Sequence, residues 1–209
     1  ELDGLKRLRY VTSHPLDMHD LLFDAHVEIP QLMPYLHLPV QSGSNRILEA
    51  MNRRHDRDAY FKIIERLRHG RADMAVSGDF IVGFPGESDR DFADTLNLIN
   101  EVKYASAYSF KYSPRPGTPA ASDDMQIDEA VKSERLAGLQ QLLTSQQQAF
   151  NHSKLDQVMD VLIERPANRA GQKAGRSPWM QAVHFSEDVG QIGDIVPLKI
   201  VSATQNSLA

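Results

Sequence analysis

Three stretches decide how this chain folds: Tyr35-Leu-His-Leu-Pro-Val-Gln-Ser-Gly-Ser44, Asp79-Phe-Ile-Val-Gly-Phe-Pro-Gly-Glu87 and Ser113-Pro-Arg-Pro-Gly-Thr-Pro119. Each reads as a buried strand that runs directly into a loop rich in glycine or proline. Parallel α/β sheets build their ligand sites at the carboxyl ends of such strands. The three stretches therefore predict a binding site at one edge of a parallel sheet.

Around these stretches, residues 1–150 alternate between strand and helix patterns. We expect strands at 7–12, 35–40, 74–82 and 105–112, and helices at 16–26, 56–69, 88–102 and 127–153. A further short helix is expected to begin at Ser44 as its N-cap, and Ser88 with Asp91 resembles a capping box. Four strands cannot close an eight-stranded barrel, so the pattern predicts an α/β fold with an incomplete (β/α) barrel.

The pattern changes after about residue 150. Short strands are expected at 157–164, 172–176, 180–185 and 194–202, separated by turn-rich segments. Short, evenly spaced strands are typical of a small all-β barrel. We therefore predict two domains, residues 1–150 and 151–209.

The composition excludes several classes of protein. No apolar run approaches the roughly 18 residues that a membrane helix needs, and the first residues resemble neither a signal nor a transit peptide. The chain has no cysteine, which excludes disulfides and thiolate metal sites within it. Its net charge of −5 means that any RNA contact must come from a local patch or from another part of the protein. Because there is no initiator methionine, we expect the chain to be a piece of a longer protein.

Individual residues of the predicted edge allow two interpretations each. Asp79 lies in an apolar strand, where a ribose hydroxyl or a nearby arginine would satisfy its carboxylate. Gln41 suits a ribose or a carboxylate, or caps the following helix. Arg53 follows that helix, where it could clamp a carboxylate or simply answer the helix dipole. Gly83 and Gly86 either let a ligand approach the backbone or only make a tight turn.

Other residues give weaker signals. His14 and His37 lie near predicted strands, where a lone histidine is more often a satisfied core residue than a metal ligand. We predict neither metal ligands nor catalytic residues in this chain. In the second domain, basic and aromatic side chains lie close together in sequence, a combination that suits RNA phosphates and bases. A solvated surface is the alternative, because residues 151–209 carry six basic and six acidic side chains. The candidate RNA-binding residues are Arg165, Arg169, Lys173, Arg176, Trp179, His184 and Phe185.

The three opening stretches, with Ser13-His-Pro15, resemble the MiaB-type tRNA methylthiotransferases of the radical-SAM family. Residues from about 151 resemble the TRAM domain, an OB-like RNA-binding barrel. The resemblance implies an enzyme that methylthiolates C2 of N6-isopentenyladenosine beside the tRNA anticodon. Ser42 and Arg115 favour this branch over the branch that modifies a ribosomal protein. The alternatives are a sister methylthiotransferase acting on threonylcarbamoyl-adenosine or a ribosomal protein, and a cluster-free RNA-binding module.

The resemblance also implies cofactors, partners and site residues. The cofactors are S-adenosylmethionine and two [4Fe-4S] clusters, whose cysteine ligands would lie upstream of residue 1, so this chain alone is predicted to be inactive. The partners are the tRNA anticodon stem-loop and a sulfur donor, and the location is cytoplasmic. Contacts with the ribose and methionine part of S-adenosylmethionine are implied for Gln41, Arg53 and Asp79. Contacts near its adenine or nucleoside are implied for Gly83, Gly86, Phe110 and Tyr112.

Overall fold

The computed structural model describes residues 3–11 and 13–209. A parallel sheet of three strands, in the order β1-β2-β3, organises the first part of the chain. The strands are β1 (Tyr35–His37), β2 (Ala75–Val82) and β3 (Ser106–Lys111). In β2 the even-numbered side chains Val76, Phe80 and Val82 are fully buried. Because alternate strand residues face opposite sides, this face of the sheet holds the core.

Five helices accompany this sheet in the described part of the chain, and all except the second contribute buried apolar residues to the same core. They are α1 (Asp20–Glu28), α2 (Asn45–Ala50), α3 (Arg57–Gly70), α4 (Asp89–Val102) and α5 (Glu129–His152). Short 3-10 turns lie at Pro15–Asp17 and Pro119–Ser122. None of the helices in the described part of the chain is long and apolar enough to cross a membrane.

The predicted helix caps are confirmed. Ser44 accepts a hydrogen bond from the Ile47 N–H at the start of α2, and Ser88 and Asp91 form a complete capping box on α4. Asp91 also accepts from the Ser44 hydroxyl at 2.6 Å and pairs with Arg46, so it joins the beginnings of both helices. Burial alone would raise the pKa of Asp91, but the hydrogen bonds from Arg46, Ser44 and Ser88 lower it well below its usual range.

The strand predicted at 7–12 is wrong. Among the described residues of this segment, only Leu8 forms a bridge, to Leu32; Thr12 lies outside the described residues. The arginines of segment 7–11 instead donate to main-chain carbonyls near the C-terminus. Arg7 donates to Arg176 O at 3.0 Å, and Arg9 donates to Ser177 O. The described part of the chain therefore has three parallel strands where four were expected, and no barrel closes.

Five strands form a second sheet near the C-terminus, in the order β7-β4-β5-β6-β8. They are β4 (Val158–Pro166), β5 (Gln172–Arg176), β6 (Ala182–Ser186), β7 (Ile195–Lys199) and β8 (Ser207–Leu208). All neighbours are antiparallel except β6 and β8. The described residues do not show the predicted small all-β barrel: they form an open sheet in which β7 and β8 are separate edges, and β8 has only two residues.

Contacts join the two sheets through side chains and main-chain carbonyls. The indole N–H of Trp179 donates to Asp73 O at 2.8 Å, and the Lys154 ammonium lies 3.7 Å from the centroid of the same ring. At the end of α5, Asn151 donates to Thr204 O at 2.8 Å. The C-terminal part of the chain thus contacts both the turn before β2 and the last turn of α5.

Candidate functional site

The face of the parallel sheet opposite the core is polar and aromatic. The strand register places Tyr35 and His37 of β1 beside Ser77 and Asp79 of β2, and Tyr108 of β3 opposite Asp79. Tyr108 is 64% exposed and Phe110, two residues further, is 52% exposed. Exposed aromatic rings beside buried polar groups are typical of a ligand-binding surface rather than of a core.

A chain of short contacts crosses this face. Ser77, which is fully buried, lies with its Oγ 2.7 Å from the Tyr35 hydroxyl and 2.7 Å from Nδ1 of His37. The other ring nitrogen of His37, Nε2, lies 3.5 Å from an Asp79 carboxylate oxygen. The His37 ring also packs edge-on against Tyr108, with centroids 6.4 Å apart. The Asp79 carboxylate therefore stands at the end of an ordered polar network.

Gln41 and Arg53 come to the same edge of the sheet. The Gln41 N–H donates to Asp79 O at 3.0 Å, and its carbonyl accepts from the Ile81 N–H at 2.9 Å. Its φ of 77° is unusual for a residue with a side chain, so the surrounding structure imposes this conformation. Burial lowers the pKa of the Arg53 guanidinium, and the charge of Asp79 acts in the opposite direction. The structure thus joins Gln41 and Asp79 through the backbone and leaves Arg53 within electrostatic range of Asp79.

The loop after β2 is held by its own backbone and by α5. Gly83 and Gly86 have φ values of +71° and +76°, which a residue with a Cβ adopts only at a cost. A Cβ on Gly83 would lie 2.3 Å from Cγ of Lys132. The Gly83 N–H donates to Glu87 Oε2 at 2.7 Å. These contacts require glycine for the turn itself, and an approach of this loop to an adenine stays a prediction.

Glu87 is the buried anchor of this loop. Its carboxylate is 2.8 Å from the guanidinium of Arg135, and both residues are almost fully buried. Burial raises the pKa of Glu87, although the Gly83 N–H and Arg135 act in the opposite direction. Arg135 also pairs with exposed Asp89 at 2.7 Å. The first half of α5 is therefore joined to the loop by a buried ion pair.

Phe110 and Tyr112 lie at the end of β3, as expected. Phe110 is exposed on the polar face, whereas Tyr112 packs edge-on against Phe84 with centroids 5.1 Å apart. The Tyr112 hydroxyl is buried and has no hydrogen-bond partner within the described parts of the chain. Buried hydroxyls are nearly always paired, so a missing bonded group is the simplest account of this oxygen.

The candidate RNA-binding residues differ in their exposure and in their contacts. Arg165 and Arg169 are exposed around the β4–β5 turn. Lys173 donates to Gly190 O at 2.6 Å, and Arg176 donates to Met180 O at 3.0 Å. Trp179 lies in the contact between the sheets, Phe185 packs against the small core and His184 is half-buried. An RNA contact by any of them stays a prediction.

Sequence reasoning missed His37, Ser77 and Tyr108 as members of the candidate site. A signal was available, because Ser77 and Asp79 are polar residues at alternate positions of an otherwise apolar strand. What could not be read from one strand is which side chains of β1 and β3 lie beside them. Among residues 3–11 and 13–209, no group of three or more acidic or histidine side chains could hold a metal ion.

Comparisons with known proteins give a match for the first part of the chain. Residues 2–99 match the model of the radical SAM superfamily. This match identifies a radical SAM segment in the chain. The fold of the chain is similar to coproporphyrinogen III oxidase (HemN) from Escherichia coli, described as a radical SAM enzyme, with a TM-score of 0.56 over 67% of this chain and 32% of that chain. At 20% identity this likeness concerns the fold alone.

A second comparison covers nearly the whole chain. It is 58% identical over 206 residues to the tRNA-2-methylthio-N(6)-dimethylallyladenosine synthase of Sphingopyxis alaskensis. The match covers 99% of this chain and 46% of that protein, so the chain spans about half the length of this relative. The C-terminal sheet, which lies beyond the radical SAM match, is therefore included in the similarity.

Proposed function

We propose that this chain is part of a tRNA methylthiotransferase that converts N6-isopentenyladenosine beside the anticodon to its 2-methylthio derivative. The observation that carries the proposal is the 58% identity to the tRNA-2-methylthio-N(6)-dimethylallyladenosine synthase of Sphingopyxis alaskensis. This similarity extends over both sheets. The polar face of the parallel sheet adds a physical argument, because it offers a nucleoside the groups that recognition requires.

The residues of this face fit S-adenosylmethionine. The Asp79 carboxylate is suited to accept hydrogen bonds from a ribose, and Arg53 carries the charge to bind the carboxylate of the methionine part. Gln41 presents backbone and amide groups at the same edge, and Phe110 offers an exposed ring. The buried, unpartnered Tyr112 hydroxyl is consistent with a polar ligand atom nearby. When bound and cleaved by an electron from a cluster held elsewhere in the protein, S-adenosylmethionine would supply the radical that activates the adenine C2–H; Gln41, Arg53 and Asp79 would bind and orient it.

The residues present do not fit an iron–sulfur cluster. Such clusters are held by cysteine thiolates, and this chain contains no cysteine. We therefore derive no step through a cluster here. The proposal requires cluster ligands elsewhere in the protein, and it predicts cysteines encoded upstream of residue 1.

For the C-terminal part we propose a TRAM-type RNA-binding role for residues 151–209. The exposed Arg165 and Arg169 are its best placed cations for an RNA phosphate. The location proposed for the parent enzyme is the cytoplasm, with tRNA and a sulfur donor as partners. The contact of Trp179 with Asp73 would hold this part at a defined orientation to the polar face.

The test is an assay of the upstream-extended protein with S-adenosylmethionine, a reductant and tRNA that contains N6-isopentenyladenosine. Mass spectrometry of the digested tRNA should show the 2-methylthio nucleoside. Incubation of the 209-residue chain under the same conditions is the matched control, and it should show none. If threonylcarbamoyl-adenosine or a ribosomal protein is modified instead, the proposed substrate is wrong. An upstream sequence without cysteines would overturn the enzymatic proposal.

A further inference from the structure

His37 occupies a special place on the polar face, because its two ring nitrogens face two different groups. Nδ1 lies 2.7 Å from the buried Ser77 hydroxyl, whose position is fixed in turn by the Tyr35 hydroxyl at 2.7 Å. Nε2 lies 3.5 Å from the Asp79 carboxylate. The ring edge is supported by Tyr108. The imidazole is therefore held by one nitrogen and presents the other to the carboxylate.

The contacts allow two arrangements of the protons. In the first, Ser77 Oγ accepts from the Tyr35 hydroxyl and donates to Nδ1, so the ring proton lies on Nε2 and faces Asp79. In the second, Nδ1 carries the proton and donates to Ser77 Oγ. The role proposed below for His37 requires the first arrangement. A separation of 3.5 Å is long for a hydrogen bond, but such contacts often shorten when a ligand binds.

The Asp79 carboxylate also interacts electrostatically with a cation. Arg53 is within electrostatic range of Asp79, and its flexible guanidinium would draw the carboxylate towards itself. A fixed donor at Nε2 opposes this attraction. It keeps one carboxylate oxygen on the imidazole and leaves the other available at the exposed face.

We propose that His37 is a positioning residue that orients the Asp79 carboxylate for the vicinal hydroxyls of a nucleoside. This inference rests on the proposed function, since it assigns a role in the same cofactor site. His37 touches no reacting atom; it acts through Asp79, and Ser77 and Tyr35 set its own orientation.

Two substitutions separate this role from a purely structural one. His37→Asn places an amide near Nδ1 and retains the contact with Ser77, but has nothing at Nε2. His37→Gln places an amide N–H near Nε2 and gives up Ser77. If His37 acts by orienting Asp79, the Gln variant should bind a nucleoside better than the Asn variant. If His37 acts only through its contact with Ser77, the order should be reversed.

The experiment measures binding of 5′-methylthioadenosine to the 209-residue chain by isothermal titration calorimetry. We expect Asp79→Asn and His37→Asn each to weaken binding about tenfold, the loss of one charge-assisted hydrogen bond, and His37→Gln to recover at least about threefold of it. Urea unfolding of each variant shows whether it is folded. As a second readout, nitrogen NMR of His37 should place a proton on Nε2, and an Nε2 without a proton would overturn the inference.

The outcomes distinguish the two proposals. If Asp79→Asn leaves the affinity unchanged, or the unsubstituted chain binds no nucleoside, the proposed cofactor site itself is wrong. If Asp79→Asn weakens binding but the two His37 variants bind alike, or the Asn variant binds better, the site stands and the role of His37 is wrong.

Discussion

Replacing Arg135 by methionine should lower the free energy of unfolding more than a substitution on the surface does. The replacement leaves the Glu87 carboxylate buried without its cation. Arg135 is 7% exposed and Glu87 is 2% exposed, and the guanidinium donates to both the carboxylate and the backbone carbonyl of Glu87. Removing one partner of a buried ion pair typically costs about 3–5 kcal/mol. We expect Arg135→Met to lower the free energy of unfolding by about that amount near neutral pH.

The pH dependence tests the mechanism. The folded-state pKa of Glu87 is already raised by burial, so its contribution to stability is present below its unfolded pKa and is lost as the pH rises through the folded value. Without Arg135 this pKa rises further. The destabilisation by Arg135→Met should therefore shrink from about pH 7 to about pH 5, where more of the carboxyl is protonated and uncharged.

The assay is urea unfolding followed by circular dichroism and by fluorescence of Trp179 at both pH values. The matched control is the double variant Glu87→Gln with Arg135→Met, which has no buried charge and should regain about 2 kcal/mol of the loss. A pH-independent loss below about 1 kcal/mol would refute the reasoning, because an exposed pair behaves in that way.

Three further predictions concern the loops and the contact between the sheets. Gly83→Ala should cost about 2 kcal/mol in urea unfolding, since its φ is +71° and a Cβ would meet Lys132; a neutral result would mean that the loop relaxes freely. Asp91→Asn should cost about 2 kcal/mol near neutral pH and progressively less in acid, because the lowered pKa of Asp91 gives stability that is lost as the pH falls through its folded value. Trp179→Phe should cost about 1 kcal/mol and speed hydrogen exchange in β5 and β6, because it removes the hydrogen bond to Asp73 O and leaves a smaller ring beside Lys154; unchanged exchange there would contradict the role given to this contact.

Features that depend on residues close in sequence were predicted correctly, whereas features that depend on residues far apart in sequence were not. The cap at Ser44 and the capping box of Ser88 and Asp91 were read correctly, because a cap depends on residues within one turn. The segment at 7–12 was misread, because its strand-like composition carries no sign that Arg7 bonds to Arg176 O. The predicted small all-β barrel is not seen in the described residues for a similar reason. Formation of a barrel depends on which strands pair at the edges of the sheet.

The site shows the same division. The carboxyl ends of the strands were identified from Gln41, Asp79 and the glycines of the following loop, since strand-to-loop patterns are local. His37 was considered only as a core residue or a metal ligand. Its contacts with Ser77 and Asp79 exist because β1 and β2 pair in one particular register.

By itself, the amino-acid sequence determined the order of the five helices and of strands β1 to β7, the caps that begin α2 and α4, and the lack of thiolate ligands. Only the tertiary structure decided that the parallel sheet has an uncovered polar face, that α5 holds the loop after β2 through Arg135, and that Arg7 joins the first residues to the last sheet. The physical reason is that caps and periodicity involve neighbours in the chain, whereas register, edge pairing and burial of charge are settled among residues far apart in sequence.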